Sequence, residues 1–79
     1  MNELVIYNTN SPKVLHVKGQ LTETTTLYLY DIQGRTVLTE QLKSNTNSQQ
    51  IDISNISTGV YIAKIDSYNM SLSKKIIIQ

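Results

Sequence analysis

The side chains that could take part in nucleophilic, acid–base or metal chemistry are few and scattered along this chain. His16 is its single histidine, and the sequence contains no cysteine. A multi-histidine metal site, a thiolate metal site and a disulfide are therefore excluded within this chain. One histidine alone supports no catalytic triad or proton relay. We interpret His16 as an exposed residue of a β-strand.

The carboxylates show no pairing that would mark an active site; they are Glu3, Glu23, Asp31, Glu40, Asp52 and Asp66. A glycosidase needs two carboxylates that face each other across a cleft. A calcium site needs oxygen ligands clustered in one loop. Neither pattern is present, so we predict that the chain is not an enzyme and has no catalytic residues, no cofactor and no metal site.

Length and charge narrow the class of protein further. The chain has 79 residues and a formal net charge of +1, which predicts a single domain over residues 1–79 without broad attraction to nucleic acid or anionic membranes. No apolar run approaches the ~18 residues that a membrane span requires. The start, Met1-Asn2-Glu3, lacks the basic and apolar regions of a signal peptide, so we expect any export signal on a larger parent chain.

The strands that would position these side chains can be predicted from the alternation of apolar and polar residues. β-Branched residues and Tyr dominate the apolar set, and polar breaks recur every ~8–12 residues, as in sandwiches and barrels. We predict an all-β fold, a seven-stranded antiparallel immunoglobulin-like β-sandwich. The predicted strands are 3–7, 14–18, 26–30, 36–42, 49–53, 60–66 and 72–78.

Turn chemistry supports this set of strands. The segment Asn10-Ser11-Pro12 separates the first two, because Pro fits poorly inside a central strand. Asp31 and Gly34 occupy the first and fourth positions of a type I turn, in which Asp accepts hydrogen bonds from turn amides and Gly can take positive φ. We predict a hairpin there, and a last hairpin turned by Tyr68-Asn69.

Alternation also predicts which residues face the core. Strand 26–30 is apolar on both faces, with Tyr28 and Tyr30 outward, which is typical of a central strand or of a covered patch. Lys74 falls on an otherwise apolar face and is expected near an edge. The predicted inward-facing residues are Leu15, Val17, Leu27, Leu29, Tyr61, Ala63, Ile65, Leu72, Ile76 and Ile78.

The segment Gly59-Val60-Tyr61 predicts a tight corner at the start of the strand in which Tyr61 faces inward. Gly59 would allow a tight, left-handed turn after residues 55–58. The Tyr61 hydroxyl could then reach back to upstream backbone, as in the tyrosine corner of immunoglobulin-like sandwiches. A direct role in recognition is the alternative for this segment.

Two lysines begin the β-branched run at the end of the sequence, Lys74-Lys75-Ile76-Ile77-Ile78-Gln79. Neighbouring residues of a strand point to opposite faces, so Lys74 and Lys75 do not form one patch. They could protect an exposed strand edge from pairing. They could also contact phosphate or an acidic partner. We expect this strand to end flush with the chain.

Taken in order, three segments resemble the type A C-terminal sorting domain of the Bacteroidetes type IX secretion system. They are Tyr30-Asp31-Ile32-Gln33-Gly34-Arg35, the Gly-x-Tyr strand Gly59–Ile65 with its alternating apolar residues, and the terminal run from Lys74 to Gln79. The resemblance implies a secretion signal on a larger N-terminal cargo that passes through the periplasm to the cell surface or the medium. It implies as partners an outer-membrane translocon and a sortase-like peptidase that usually removes the domain. The terminal run, from Lys74 through Lys75, Ile76, Ile77 and Ile78 to Gln79, is the segment we expect to be recognised.

A binding or adhesion module appended to an exported protein is the competing class. Such a sandwich would hold carbohydrate or protein through exposed aromatic side chains. The chain has no Trp, which leaves Tyr7, Tyr28, Tyr30 and Tyr68 as candidates.

Overall fold

All regular structure in the described part of the chain is β-strand. A computed structural model describes residues 4–21, 23–44, 46–67 and 70–79. No helix long and apolar enough to cross a membrane is found in these ranges. The strands are β1 (Val5–Asn10), β2 (Lys13–Lys18), β3 (Thr25–Asp31), β4 (Thr36–Leu42), β5 (Ser48–Asp52), β6 (Gly59–Ser67) and β7 (Met70–Ile78).

The strands form two antiparallel sheets that pack face to face. One sheet has three strands in the order β1-β2-β5, and the other has four in the order β4-β3-β6-β7. The predicted immunoglobulin-like sandwich of seven antiparallel strands is confirmed. Strand β3 lies in the interior of its sheet, between β4 and β6, as its apolar residues on both faces predict.

The largest shift from the predicted strand bounds is in β1. It continues to Asn10, which pairs with Lys13, so that only Ser11 and Pro12 remain in the loop. The Ser11–Pro12 peptide bond is cis. The predicted turn at Tyr68-Asn69 lies outside the described residues.

The core lies between the two sheets and is made of the inward-facing residues of both. Leu15, Leu27, Leu29, Ala63, Ile65 and Ile78 are completely shielded from solvent, and Val17, Tyr61 and Ile76 are also buried. These predictions are confirmed, and Leu72 packs against the same core half-buried. Each fully buried Leu, Ile or Val side chain contributes ~1.5–3 kcal/mol to folding.

Side chains rather than strand pairing join the two sheets along the edge where β1 meets β7. The Lys74 Nζ donates to the carbonyl of Ile6 at 2.7 Å, and the Asn8 Nδ2 donates to the carbonyl of Ile77 at 2.7 Å. Lys74 therefore lies at an edge, as predicted. These bonds satisfy carbonyls that would otherwise be offered to a foreign strand.

The opposite edge is joined in a similar way. The Gln49 side chain accepts from the Lys43 amide at 2.8 Å and donates to the Lys43 carbonyl at 2.7 Å. One amide side chain thus imitates a neighbouring strand for both backbone groups of Lys43. A cleft of about 520 Å³ opens nearby, and polar side chains such as Gln41 and Thr46 contribute to its lining.

Candidate recognition site

The turn between β3 and β4 is organised around the carboxylate of Asp31. Its Oδ1 accepts from the backbone amides of Gln33 and Arg35, each at 2.9 Å, and its Oδ2 accepts from the Arg35 Nε at 2.9 Å. The Gly34 amide donates to the Asp31 carbonyl at 3.0 Å, and Gly34 has a φ of +86°. The predicted turn is confirmed, including the positive φ.

The same contacts control the ionisation of Asp31. The hydrogen bond from the Arg35 amide is the main cause that lowers the pKa of Asp31, with help from the Arg35 side chain and the Gln33 amide. Desolvation opposes this shift. The ionised form of Asp31 is therefore stabilised by folding.

The start of β6 forms the predicted tyrosine corner. The Tyr61 hydroxyl donates to the Ser57 carbonyl at 2.7 Å, and the ring is buried. The prediction that Gly59 takes a left-handed conformation is wrong, because the described glycines with positive φ are Gly19 and Gly34. Gly59 instead lies against the Tyr61 ring, whose Cε2 would be 3.5 Å from a Cβ added there.

The residues of β7 divide between the core and the outer surface. Ile76 and Ile78 are buried, whereas Lys75 and Ile77 face outward and Gln79 is exposed. Lys74 shares the inward-facing register of Ile76, but its amine reaches the edge to bind β1. Among the predicted recognition residues that precede Gln79, Lys75 and Ile77 are the two whose side chains point away from the sandwich.

Strand pairing brings the three sequence segments together at one end of the four-stranded sheet. Asp31 pairs with Tyr61, and Tyr61 pairs with Ile76. Two residues closer to the start of β6, Gly59 pairs with Ile78. A shallow depression of about 270 Å³ lies beside them, lined by the turn residues and by residues 58–61, including the exposed Ile32. We call this end of the sheet, formed by residues 31–35, 59–61 and 74–79, the motif end.

His16 is half-buried, so the prediction of an exposed residue is wrong. Its ring stacks on Tyr7 with centroids 4.6 Å apart and planes 7° apart, and its Nε2 lies 3.3 Å from the Thr9 Oγ1. The Lys18 amine lies 5.6 Å from the centre of the Tyr7 ring. Cross-strand pairing of Tyr7 with His16 explains this cluster, and a single sequence pattern does not reveal such a pairing.

Polar groups in the described ranges do not converge on a metal site. No group of three or more His, Asp or Glu side chains is placed to hold a metal ion there. Asp31 is paired with Arg35, and the Asp52 carboxylate accepts a hydrogen bond from the Ser54 amide at 2.9 Å. Both carboxylates therefore have a local structural partner.

Sequence reasoning predicted Tyr28 and Tyr30 on the outer face of β3, but it missed the outward-facing residues of β6 and β7 that continue this surface. Tyr30 pairs with Ile62, Ile62 with Lys75, and Val60 with Ile77. The sequence signal was present, because β6 carries aliphatic residues at 60 and 62 between its inward-facing positions. The side-by-side placement depends on which strands are neighbours, and that emerges from the sheet order.

Together, the fold and the motif end define a small immunoglobulin-like sandwich domain with its distinctive segments gathered on one sheet. The chain matches the family model of the secretion system C-terminal sorting domain over residues 3–79, nearly its whole length. The chain therefore belongs to this family. It carries a type IX secretion sorting signal, which marks a protein for export toward the cell surface or the medium. No curated protein matches the chain.

Proposed function

We propose that this domain is the export address of a larger cargo protein, to which it is joined at its N-terminal side. It directs that cargo from the periplasm across the outer membrane through the translocon of the type IX system. A sortase-like peptidase then removes the domain. The family match supports this proposal, and the finer steps extend it.

The domain acts by being recognised in its folded form and performs no catalysis. The observation that carries this proposal is the motif end, where pairing joins Asp31 to Tyr61 and Tyr61 to Ile76. A linear signal would not need the segments at 31–35, 59–61 and 74–79 to be neighbours. A signal read on the folded surface does need this arrangement, because a partner can contact all three at once.

The terminal run contributes both to the core and to the surface that is read. Ile76 and Ile78 hold the strand in the sandwich, and Lys75 and Ile77 are offered to a partner. Arg35 is held by Asp31 through its Nε, and its side chain remains largely exposed. These three outward-facing side chains are therefore our candidates for direct recognition at the motif end.

The proposal is tested by fusing the 79-residue chain to the C-terminus of a reporter that carries its own signal peptide. The fusion is expressed in a type IX-competent host and in a matched strain without the translocon. We expect the reporter outside the cell in the competent host and in the periplasm of the other strain. Equal distribution in the two strains would contradict the proposal.

The peptidase step is read from the same cultures. A reporter that leaves the cell without the domain, detected by its mass, supports cleavage after transport. A host lacking the peptidase should retain the domain on the reporter. A reporter of full length in the competent host would contradict the cleavage step while leaving the transport step supported.

A further inference from the structure

The outer face of the four-stranded sheet carries an exposed aliphatic surface. Val60, Ile62 and Ile77 are 38%, 36% and 51% exposed, and they lie side by side because Val60 pairs with Ile77 while Ile62 is two residues along β6. Tyr28 and Tyr30 continue this surface across β3. We call these five residues the aliphatic face.

Exposed aliphatic residues grouped in this way are unusual on the outer face of an antiparallel sheet. Such a face is commonly polar, because the inward-facing residues alone supply the core. The corresponding face of the three-stranded sheet is more polar, since His16 pairs with Gln50 and Lys18 with Ser48. Its exposed aliphatic residue Val5 pairs with the charged Lys18 rather than with another apolar residue. A contiguous exposed apolar surface commonly marks an interaction site.

Two lysines on the same outer surface of the sheet lie next to residues of the aliphatic face. Lys64 pairs with Tyr28, and Lys75 pairs with Ile62. They are diagonal neighbours on β6 and β7, because Lys64 itself pairs with Ser73. Neither lysine forms an ion pair in the described part of the chain, where the one found joins Arg35 to Asp31. Asp66 is the acidic residue of the same outer surface, two residues beyond Lys64 on β6.

We propose that the aliphatic face docks onto a protein surface that combines exposed apolar side chains with carboxylates. The apolar part of that partner would cover Val60, Ile62 and Ile77. Its carboxylates would meet Lys64 and Lys75, whose charges otherwise lose water without compensation. The inference deepens the proposed function, since the partner is then a component of the export machinery.

A carbohydrate fits this face less well than a protein. Sugars stack on open aromatic ring faces, whereas Tyr28 and Tyr30 are half-buried and stack on each other with centroids 6.0 Å apart. The most exposed part of the face is aliphatic rather than aromatic. Branched aliphatic side chains gain from burial against other apolar side chains, which a protein partner supplies.

A second copy of the chain is also a poorer partner. Packing two such faces together would bring two copies of Lys64 and Lys75 into one interface with two copies of Asp66. Four positive charges would then face two negative ones in a poorly hydrated space. Like charges that meet in an interface weaken binding, so charge favours an acidic partner.

The test measures export of the reporter fusion after substitution of a residue of the aliphatic face and of an equally exposed residue outside it. Ile77→Thr removes apolar surface at a position that is 51% exposed, and Val5→Thr does so on the other sheet at 50% exposed. Both keep a β-branched residue in a strand, so thermal unfolding should change little in either. We expect export to fall about tenfold in Ile77→Thr, equal to ~1.4 kcal/mol at an interface, and to stay near the parent level in Val5→Thr.

Charge reversal tests the second half of the proposal. Lys64→Glu combined with Lys75→Glu should reduce export at least as strongly, whereas Lys18→Glu on the other sheet should not. The proposed function itself fails if the parent fusion is not exported. The docking inference alone fails if the parent is exported and the folded variants at Ile77, Lys64 and Lys75 are exported equally well.

Two binding measurements on the purified chain test the other possible partners of the aliphatic face, a second copy of the chain and an anionic glycolipid. Sedimentation velocity detects a second copy, and vesicles containing lipopolysaccharide detect an anionic glycolipid. Self-association abolished by Ile77→Thr would overturn the proposal in favour of a dimer. Vesicle binding lost on charge reversal but retained in Ile77→Thr would overturn it in favour of the glycolipid. A monomer that ignores the vesicles, together with the export defects, supports docking on a protein.

Discussion

The amine of Lys74 donates a hydrogen bond to the carbonyl of Ile6 at 2.7 Å, which ties β7 to β1 across the gap between the two sheets. Its neighbour Lys75 points to the outer face, beside Ile62. Two adjacent lysines of the sorting domain therefore have different physical surroundings. The first supports the sandwich, and the second is free to be contacted.

This difference predicts that the same substitution lowers stability at Lys74 but not at Lys75. Lys74→Gln shortens the side chain and removes its charge, so we expect the free energy of unfolding to fall by about 1 kcal/mol, the usual value of one hydrogen bond. Lys75→Gln should leave it unchanged. Urea denaturation of the two variants and the parent measures this, and equal midpoints would contradict the role of Lys74.

The Asp31 turn predicts a dependence of stability on pH. Because folding lowers the pKa of Asp31 below its usual 3.8, its contribution is complete above that value and is lost as pH falls through the folded pKa. The free energy of unfolding should therefore decline on acidification below about pH 4. In Asp31→Asn this decline should be shallower, because that group no longer titrates.

Asp52 provides the matched control for this measurement. The hydrogen bond from the Ser54 amide lowers its pKa as well, so Asp52→Asn should remove a separate part of the same decline. The double variant should show the flattest pH profile. An Asp31→Asn profile parallel to that of the parent would contradict the proposed stabilisation of the ionised turn.

Local chemistry made the Asp31 turn and the tyrosine corner predictable. Asp31, Gly34 and Tyr61 act through partners within four residues along the chain. Strand phase was predictable for the same reason, since alternation alone places Ile76 and Ile78 inward. These features depend on separations that can be read directly from the sequence.

The aliphatic face and the His16 cluster depend instead on which strands become neighbours. Ile62 and Ile77 are separated along the chain, and the order β4-β3-β6-β7 places them on one surface. Tyr7 and His16 meet for a similar reason. The conformation of Gly59 was wrongly predicted because a glycine at the start of a strand has two explanations, a positive φ or room for a neighbouring ring. The sequence does not distinguish them.

The two glycines of the motif end should respond differently to Ala. Gly34 has a φ of +86° and no atom within 4 Å of an added Cβ, so Gly34→Ala should cost ~1–2 kcal/mol through backbone strain alone. Gly59 does not have positive φ, and its added Cβ would make ordinary contact with the Tyr61 ring. Gly59→Ala should be neutral or stabilise by ~0.4–1 kcal/mol. Guanidinium denaturation measures the free energy of unfolding of both variants. A larger loss of stability in Gly59→Ala than in Gly34→Ala would contradict this explanation.

The tyrosine corner predicts that removal of the Tyr61 hydroxyl lowers the stability of the domain. Tyr61→Phe keeps the buried ring but removes the bond to the Ser57 carbonyl, so unfolding should become easier by about 1 kcal/mol. Tyr28→Phe is the control, since its hydroxyl makes no hydrogen bond in the described part of the chain. Equal unfolding temperatures for these two variants would contradict a stabilising role for the corner.

Substitutions within the terminal run should affect either folding or recognition, according to the face on which the residue lies. Ile78→Ala empties a completely buried site opposite Gly59 and should cost ~2–5 kcal/mol, so its fusion should fail in export because the domain unfolds. Lys75→Gln should keep the parent stability and still reduce export, because that side chain faces outward. A short polar tail added after Gln79 tests whether the end of the strand must be accessible, with unfolding temperature as the control for both folded variants. If Lys75→Gln and the tailed chain are exported as well as the parent, the terminal run is structural, and the next element to test is the Asp31–Arg35 turn.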